Sequence, residues 1–207
     1  IARHHFAKLD GITIPESLNG KYFKVKNGVL TDITSAGQSY LAGQGRNGVL
    51  VLPSSITRID NGVFTQRFQN FKAIYAEGVT EVGSFAFQET GSLNFAHLPK
   101  LKKLGEAVFT DNASLTAVNF PLLEEIGDVC FTGGANFSGN GLKITYVSIP
   151  AAKKIGSGAF HGNYKHSGVT FILGAQPEVN TKAYEDYPQE GFVAFGQLKS
   201  PVLYVTP

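Results

Sequence analysis

Five copies of one nine-residue phrase constrain the fold of this chain more strongly than any other feature of its sequence. The phrase has apolar residues at its first and fourth positions, and it ends in a small or apolar residue followed by phenylalanine. The copies occupy residues 56–64, 79–87, 101–109, 123–131 and 152–160, so their closing phenylalanines are 23, 22, 22 and 29 residues apart. This period is typical of solenoids, in which one repeat cannot bury its own apolar face and neighbouring turns must cover it.

A second apolar pattern precedes each copy and predicts a short strand. The segments SLNFAHLPKLKKLG (92–105) and SLTAVNFPLLEEIG (114–127) align without a gap, and their alternating apolar residues indicate a β-strand. Proline follows the strand in most copies and ends it, because proline cannot donate to a continuing ladder. We expect these strands to stack side by side with the phenylalanines inside. We also expect the glycine after Ile126, and its equivalents, to permit a tight bend.

The repeat also assigns a role to Cys130, the only cysteine in the chain. It immediately precedes a closing phenylalanine. The other copies have a small apolar residue at this position, and a buried cysteine behaves as a small hydrophobe. We therefore predict that Cys130 is a packing residue and not a reactive thiol. The equivalent residues are Val63, Ala86, Val108 and Ala159.

The repeated phrase V-x-x-I-G-x-x-A-F, preceded by an apolar strand that ends before proline, resembles the BspA-type leucine-rich repeat. That repeat is common in surface proteins of gut and oral bacteria and of some parasitic protists. Residues 22–33 (YFKVKNGVLTDI), followed by 49–60 (VLVLPSSITRID), look like the opening unit of the family, and VLYVTP (202–207) resembles its closing strand. Within the first segment, Asn27-Gly28 is a strong signal for a type I′ hairpin.

These patterns together predict a mainly β repeat solenoid with short helical turns, of the BspA-like leucine-rich type, with about 22–23 residues per turn. Caps are expected at both ends, because an unprotected end turn would expose an apolar face and a strand edge. We assign 1–48 to an N-terminal cap with a β-hairpin and a first irregular turn, 49–175 to the solenoid, and 176–207 to a C-terminal cap. The Gly/Asn-rich stretch 132–141 is interpreted as an insertion at a turn.

The strand frame predicts a recognition surface on the outward side of the strands. If Leu115, Val118 and Phe120 face the core, then Ala117 and Asn119 face outward. The same frame exposes alternate residues on the neighbouring strands, including Ala73 and Ser148. Aromatic residues on such a face are typical of protein interfaces and can stack on sugars, although they can also simply cover gaps at the sheet edge. The predicted ligand-binding residues are Tyr75, Phe95, His97, Asn119 and Tyr146.

Charged residues give no sign of a nucleic-acid surface. The chain has 18 Lys and Arg against 16 Asp and Glu, and the basic residues are scattered and not clustered. Lysine and glutamate doublets recur at one repeat position, at 102–103, 124–125 and 153–154. We interpret them as a solvated edge, with Glu124 and Glu125 attracted to basic residues on the turns on either side.

No catalytic or metal-binding pattern stands out, so we predict no enzyme activity, no cofactor and no metal. The spacing of His161 and His166 does not suit a metal site on a helix face. The acidic pair Glu185-Asp186 has no carboxylate partner at a spacing that suits a glycosidase, and the glycine-rich stretch lacks the lysine of a phosphate loop. The remaining histidines, which also suggest no metal site, are His4, His5 and His97.

The predicted function is non-catalytic recognition at a cell surface. We expect adhesion or protein binding through the outward strand face, with a host or matrix protein as the partner. The alternative is a carbohydrate-binding or scaffolding module of a larger surface enzyme or glycan-uptake system, with a surface glycan as the ligand. The chain starts at Ile1 and contains no methionine, so we expect a fragment or processed product. The resemblance to the BspA-type family implies an extracellular or cell-surface location, with attachment to a membrane only through an anchor outside this fragment.

Overall fold

The computed structural model describes residues 12–13, 20–43, 48–65, 71–133, 142–162, 168–174, 176–180, 195 and 202–206. Within these residues the chain forms sixteen strands and one helix. The elements are β1 (Ile12–Thr13), β2 (Phe23–Lys26), β3 (Val29–Ile33), α1 (Ser35–Gly43), β4 (Gly48–Leu52), β5 (Arg58–Ile59), β6 (Phe71–Ala76), β7 (Glu81–Val82), β8 (Phe95–His97), β9 (Lys103–Leu104), β10 (Ala117–Asn119), β11 (Glu125–Ile126), β12 (Tyr146–Ile149), β13 (Lys154–Ile155), β14 (Thr170–Leu173), β15 (Glu178–Val179) and β16 (Val202–Val205).

Each repeat contributes one strand to each of two sides of a solenoid. On one side, the two-residue β1 and strands of three to six residues form two four-stranded parallel sheets, in the orders β1-β4-β6-β8 and β10-β12-β14-β16. Six two-residue strands and the longer β2 and β3 form an eight-stranded sheet in the order β15-β13-β11-β9-β7-β5-β3-β2. Equivalent residues of successive repeats lie opposite one another, as in the pairs Ala73–Phe95 and Ala117–Tyr146. This register confirms the predicted repeat frame and the mainly β solenoid.

A stack of phenylalanine rings runs through the core. All five closing phenylalanines are almost completely buried. Successive rings lie 5.0–5.4 Å apart between centroids, with planes within 10° of parallel. Phe195 extends the stack, with its ring 5.5 Å from that of Phe160 and tilted by only 5°. A single column of aromatic rings therefore links the repeats, each of which has its apolar face covered by its neighbours.

A turn carries the chain from each two-residue strand to the closing phenylalanine, and one position in it has a left-handed backbone. In the five copies this residue is Gly62, Phe85, Ala107, Val129 and Gly158, with φ between 49° and 64°. The turns are joined by backbone hydrogen bonds to the next repeat, such as Phe109 N–H to the carbonyl of Cys130 at 2.8 Å. The left-handed residue therefore lies two positions after the repeated glycine, such as Gly127, at which the sequence pattern predicts the bend.

The expected role of that glycine in the bend is therefore wrong. Gly83, Gly105, Gly127 and Gly156 are absent from the residues with positive φ. They stack on one another in adjacent turns, and a Cβ atom on Gly105 would lie only 2.6 Å from the backbone nitrogen of Ser84. Glycine is required here because neighbouring turns approach too closely for any side chain.

The N-terminal hairpin closes one end of the eight-stranded sheet. β2 and β3 pair antiparallel around Asn27 and Gly28, whose φ values of 52° and 76° are those of the predicted type I′ turn. Phe23 is fully buried against the core, and β3 pairs in parallel with β5 of the first repeat. The hairpin prediction is confirmed, and it explains how the first repeat is covered.

The long interval between Phe131 and Phe160 does not disturb the solenoid. Their rings lie 5.1 Å apart, as in the shorter repeats, and Gly133 pairs with Gly162 beside them. Of the predicted insertion, 134–141 lie outside the described residues. Beyond 175, β15 and β16 continue the sheets, while most of the proposed C-terminal cap lies outside the described residues. The cap boundaries stay a prediction.

Candidate functional site

The candidate site is the outward side of the longer strands, which we call the strand face. Alternate residues on these strands point into the core, so the residues between them point outward; in β16, at the end of its sheet, all four residues are exposed. The alternating outward positions hold no lysine, arginine, aspartate or glutamate, although Lys72, the extra residue at the bulge in β6, is also exposed. Depletion of charge together with aromatic side chains is typical of the centre of a protein interface. The strand face consists of Val49, Val51, Ala73, Tyr75, Phe95, His97, Ala117, Asn119, Tyr146, Ser148, Thr170, Ile172, Val202 and Tyr204.

The five predicted site residues all lie on the strand face, but they differ in exposure. Phe95 is 45% exposed and Tyr146 36%, Asn119 is also exposed, and Tyr75 and His97 are half-buried. The expectation that Ala73 and Ser148 would be exposed is wrong, since both are buried. They are small residues with larger neighbours on the adjacent strands, Phe95 beside Ala73 and Ile172 beside Ser148. The strand face is therefore uneven, with large side chains standing over small ones.

Three of the predicted residues form one contact group, which we call the aromatic cluster. Tyr75 and His97 are register partners on β6 and β8, with ring centroids 5.6 Å apart. The Phe95 ring lies 5.7 Å from that of Tyr75 and 6.4 Å from that of His97. Partial burial in this group raises the pKa of the Tyr75 hydroxyl, so it stays a neutral hydrogen-bonding group. Asn119 and Tyr146 belong to the second four-stranded sheet, on β10 and β12.

Glu77, which is not among the predicted site residues, borders the aromatic cluster. Its Oε1 lies 3.8 Å from Nε2 of His97, and its side chain is about half exposed. It occupies the position just after the strand where other copies have proline, at Pro99 and Pro121 for example. That exception is visible in the sequence. Its proximity to His97 is not, because it depends on the pairing of β6 with β8.

The opposite side of the solenoid has a very different surface. In the eight-stranded sheet, one position on each of the six two-residue strands carries a charge, and its sign alternates from each strand to the next. Arg58 lies 3.1 Å from Glu81, and Lys103 lies 3.4 Å from Glu125. Such exposed pairs each contribute roughly 0.2–1 kcal/mol and leave little net charge for a partner. We call this row the charge ladder; it consists of Arg58, Glu81, Lys103, Glu125, Lys154 and Glu178.

A second row of charges lies beside the ladder. Lys153 donates a hydrogen bond to Glu124 at 2.7 Å, and this bond and the lysine's charge lower the pKa of Glu124. The predicted attraction between charged doublets on neighbouring turns is confirmed. Doublets of lysine or glutamate occur in only three turns of the sequence, whereas the alternation of charge extends over six strands.

The geometry agrees with a match in sequence. A family model described as the BspA type leucine-rich repeat region matches residues 44–167 in six copies. The chain belongs to the BspA-type leucine-rich repeat family. Membership favours a role in protein–protein interaction or adhesion, and proteins of this family are typically surface-associated and non-enzymatic.

The solved structures include a similar leucine-rich repeat protein. The crystal structure of a leucine-rich repeat protein from T. pallidum has a TM-score of 0.53 and 21% sequence identity, and the match covers 86% of this chain and 77% of that one. The resemblance supports the fold alone. No curated protein matches the sequence significantly. Among the described residues, no helix has the length and apolar character needed to cross a membrane.

A reactive thiol and a metal centre are the alternative kinds of site in this BspA-type chain. Cys130 is fully buried, and its thiol donates to the carbonyl oxygen of Gly105 at 2.8 Å. Burial raises its pKa to about 12, so the thiolate is scarce at neutral pH, and the packing prediction is confirmed. No group of three metal-ligating side chains occurs within the described ranges. His4, His5, His166 and the pair Glu185-Asp186 lie outside those ranges, so the absence of a metal site stays a prediction.

Proposed function

We propose that this chain is a non-catalytic recognition module of a cell surface, which binds a protein partner through the strand face. The observation that carries the proposal is the contrast between the two sides of the solenoid. On the strand face, outward positions are uncharged and aromatic residues are exposed, as at the centres of protein interfaces. On the other side, charges are paired with one another along the ladder.

The chemical character of the strand face supports binding without catalysis. Tyr75 and Tyr146 supply rigid apolar rings with a polar tip, and Asn119 supplies an adaptable hydrogen-bonding group. Side chains of this kind give large contact area at low cost in conformational entropy. A host or matrix protein is the proposed partner, and the proposed location is extracellular or on the cell surface, in agreement with the usual location of the family.

A surface glycan is the second candidate ligand. Phe95 and Tyr146 are exposed aromatic residues on the same face, and an exposed ring can stack on the apolar face of a sugar. In that case the chain would be a carbohydrate-binding or scaffolding module of a larger surface enzyme or glycan-uptake system.

One screen distinguishes these functions. A panel of extracellular-matrix proteins and a glycan array are probed with the wild type, and with a variant that carries Tyr75→Ala, Phe95→Ala and Tyr146→Ala together. We expect a protein ligand whose binding weakens by at least about 1 kcal/mol in the variant, as at interface hot spots. A matched variant with alanine at Glu81, Lys103 and Glu125 should bind normally. If the Tyr75, Phe95 and Tyr146 triple-alanine variant bound as well as this matched variant, the strand face would be rejected as the site.

A further inference from the structure

The aromatic cluster has an electrostatic feature that the rest of the strand face lacks. Glu77 places a carboxylate beside the rings, 3.8 Å from His97, whereas the residues of the strand face are uncharged and the exposed Lys72 lies near the opposite end of β6. A negative charge beside a group of aromatic rings favours a cation, because the carboxylate and the faces of the rings can attract it together. The chemistry of this corner therefore points to a positively charged group on the partner.

The repeat itself does not require an acid at this position. Most of the other copies end the strand with proline, which the solenoid tolerates because no further ladder hydrogen bond is needed there. Glu77 is the exception, and it occurs in the repeat whose strand carries Tyr75. Departures from a repeat's local rule are expected where function imposes its own requirement.

The dimensions of the corner fit an arginine side chain. The centroids of the Phe95 and His97 rings are 6.4 Å apart, and the Glu77 carboxylate lies 3.8 Å from Nε2 of His97. An apolar stem can cover the exposed Phe95 ring while the guanidinium reaches the carboxylate. The planar guanidinium stacks on rings and pairs with a carboxylate through two parallel hydrogen bonds, whereas an ammonium group provides neither.

We propose that the aromatic cluster and Glu77 form a receptor for an arginine side chain presented by the protein partner. The proposal rests on the proposed function, and it identifies the chemical group that the strand face selects. The arginine stem packs on Phe95, and its guanidinium lies against the rings of Tyr75 and His97 and pairs with Glu77. Asn119 and Tyr146, in the second sheet, contact neighbouring parts of the same partner.

Selection from a random peptide library displayed on phage tests this assignment while the natural partner is still unidentified. Peptides selected on the wild-type protein should be enriched in arginine. A synthetic peptide from that set should lose about tenfold or more in affinity for the Glu77→Gln and Phe95→Ala variants, which corresponds to about 1.4 kcal/mol. Replacing its arginine by citrulline should cause a similar loss, and replacement by lysine a smaller one. The matched Glu81→Gln variant, which removes the same charge from the charge ladder, should bind normally.

The outcomes separate this inference from the proposed function. Peptides that lack arginine, yet lose affinity for the Tyr75, Phe95 and Tyr146 triple-alanine variant, would overturn the arginine receptor and leave the strand face as the binding surface. Selected peptides that bind this variant as well as the wild type, or a failure to select any peptide, would overturn both. Glu77 is about half exposed, so Glu77→Gln is expected to fold even if Phe95→Ala does not.

Discussion

Replacing Phe109 with alanine should destabilise the protein far more than replacing Cys130 with alanine. Both residues are buried, and they lie in adjacent turns of the solenoid. Phe109 lies in the middle of the phenylalanine stack, with ring centroids 5.4 Å from both Phe87 and Phe131 and 6.1 Å from Phe120. Its side chain is only 1% exposed. Cys130, the residue before Phe131, is in the small apolar position that alanine occupies at Ala86 and Ala159.

The expected cost of Phe109→Ala follows from the ring contacts and from the rigidity of the surrounding turns. Truncating a buried phenylalanine to alanine costs roughly 3–5 kcal/mol, and the value rises when the cavity cannot collapse. Phe87 N–H bonds to the carbonyl of Val108 at 3.0 Å and Phe109 N–H to that of Cys130 at 2.8 Å, so the flanking turns are held in place. Stacked ring pairs are worth roughly 0.5–1.5 kcal/mol each, and the loss of two such pairs, which is part of the total cost, favours the upper part of the roughly 3–5 kcal/mol range. We therefore expect about 4–5 kcal/mol, the upper part of the measured range.

Cys130→Ala should cost only about 1 kcal/mol, chiefly the thiol's hydrogen bond to Gly105. Urea unfolding followed by far-UV circular dichroism measures both values, because the chain has no tryptophan to report by fluorescence. The slope of the unfolding free energy against urea concentration should be the same for the wild type and both variants, so that their urea midpoints compare stability directly. A larger loss for Cys130→Ala than for Phe109→Ala would mean that the repeat frame is wrong.

Three further outcomes are expected from buried and charged groups. The Cys130 thiol should react slowly with a maleimide in the native protein and quickly in denaturant, because burial raises its pKa to about 12; fast native labelling would contradict its packing role. Burial lowers the pKa of His161, so the unfolded chain binds more protons below its own pKa of about 6.5, and stability should fall as the pH drops through that value. His161→Gln should reduce this dependence, and an identical pH profile would reject the assignment. Glu125→Lys should place three positive charges in adjacent positions and lower the urea midpoint at about 0.01 M salt but much less at about 1 M; a loss independent of salt would contradict the electrostatic role of the ladder.

The parts of the fold that repeat with a fixed period could be predicted from the sequence. Leu93 and Leu115 are buried, Asn27-Gly28 forms its hairpin, and the closing phenylalanines stack, because a side chain at one repeat position has the same neighbours in every turn. Phe195 could not be identified in this way. It lies 35 residues after Phe160, which is longer than the period, so alignment of the copies gives no signal for its place in the stack.

Features that depend on contacts between turns were harder to predict. Glycine is required at position 105 because the backbone of the preceding turn lies so close, and the sequence of a single copy does not reveal that distance. The alternating charges from Arg58 to Glu178 are visible in the aligned copies. They attract one another only because parallel pairing of the strands places each charge beside the next. In the candidate site, the outward positions follow from the period of two, whereas the contact of Glu77 with His97 depends on how one turn lies against another.

Binding of the partner to the strand face, and not to the charge ladder side, can be tested by blocking each side with a bulky label. In a Cys130→Ala background, Asn119→Cys places one thiol on the strand face and Lys102→Cys places one on the other side, and both positions are exposed. Each variant is coupled to a polyethylene glycol maleimide, and binding to the ligand found in the screen is measured. We predict that the label at residue 119 abolishes binding and that the label at residue 102 leaves it unchanged. Binding that survives the label at 119 and is lost with the label at 102 would contradict the strand face as the recognition surface.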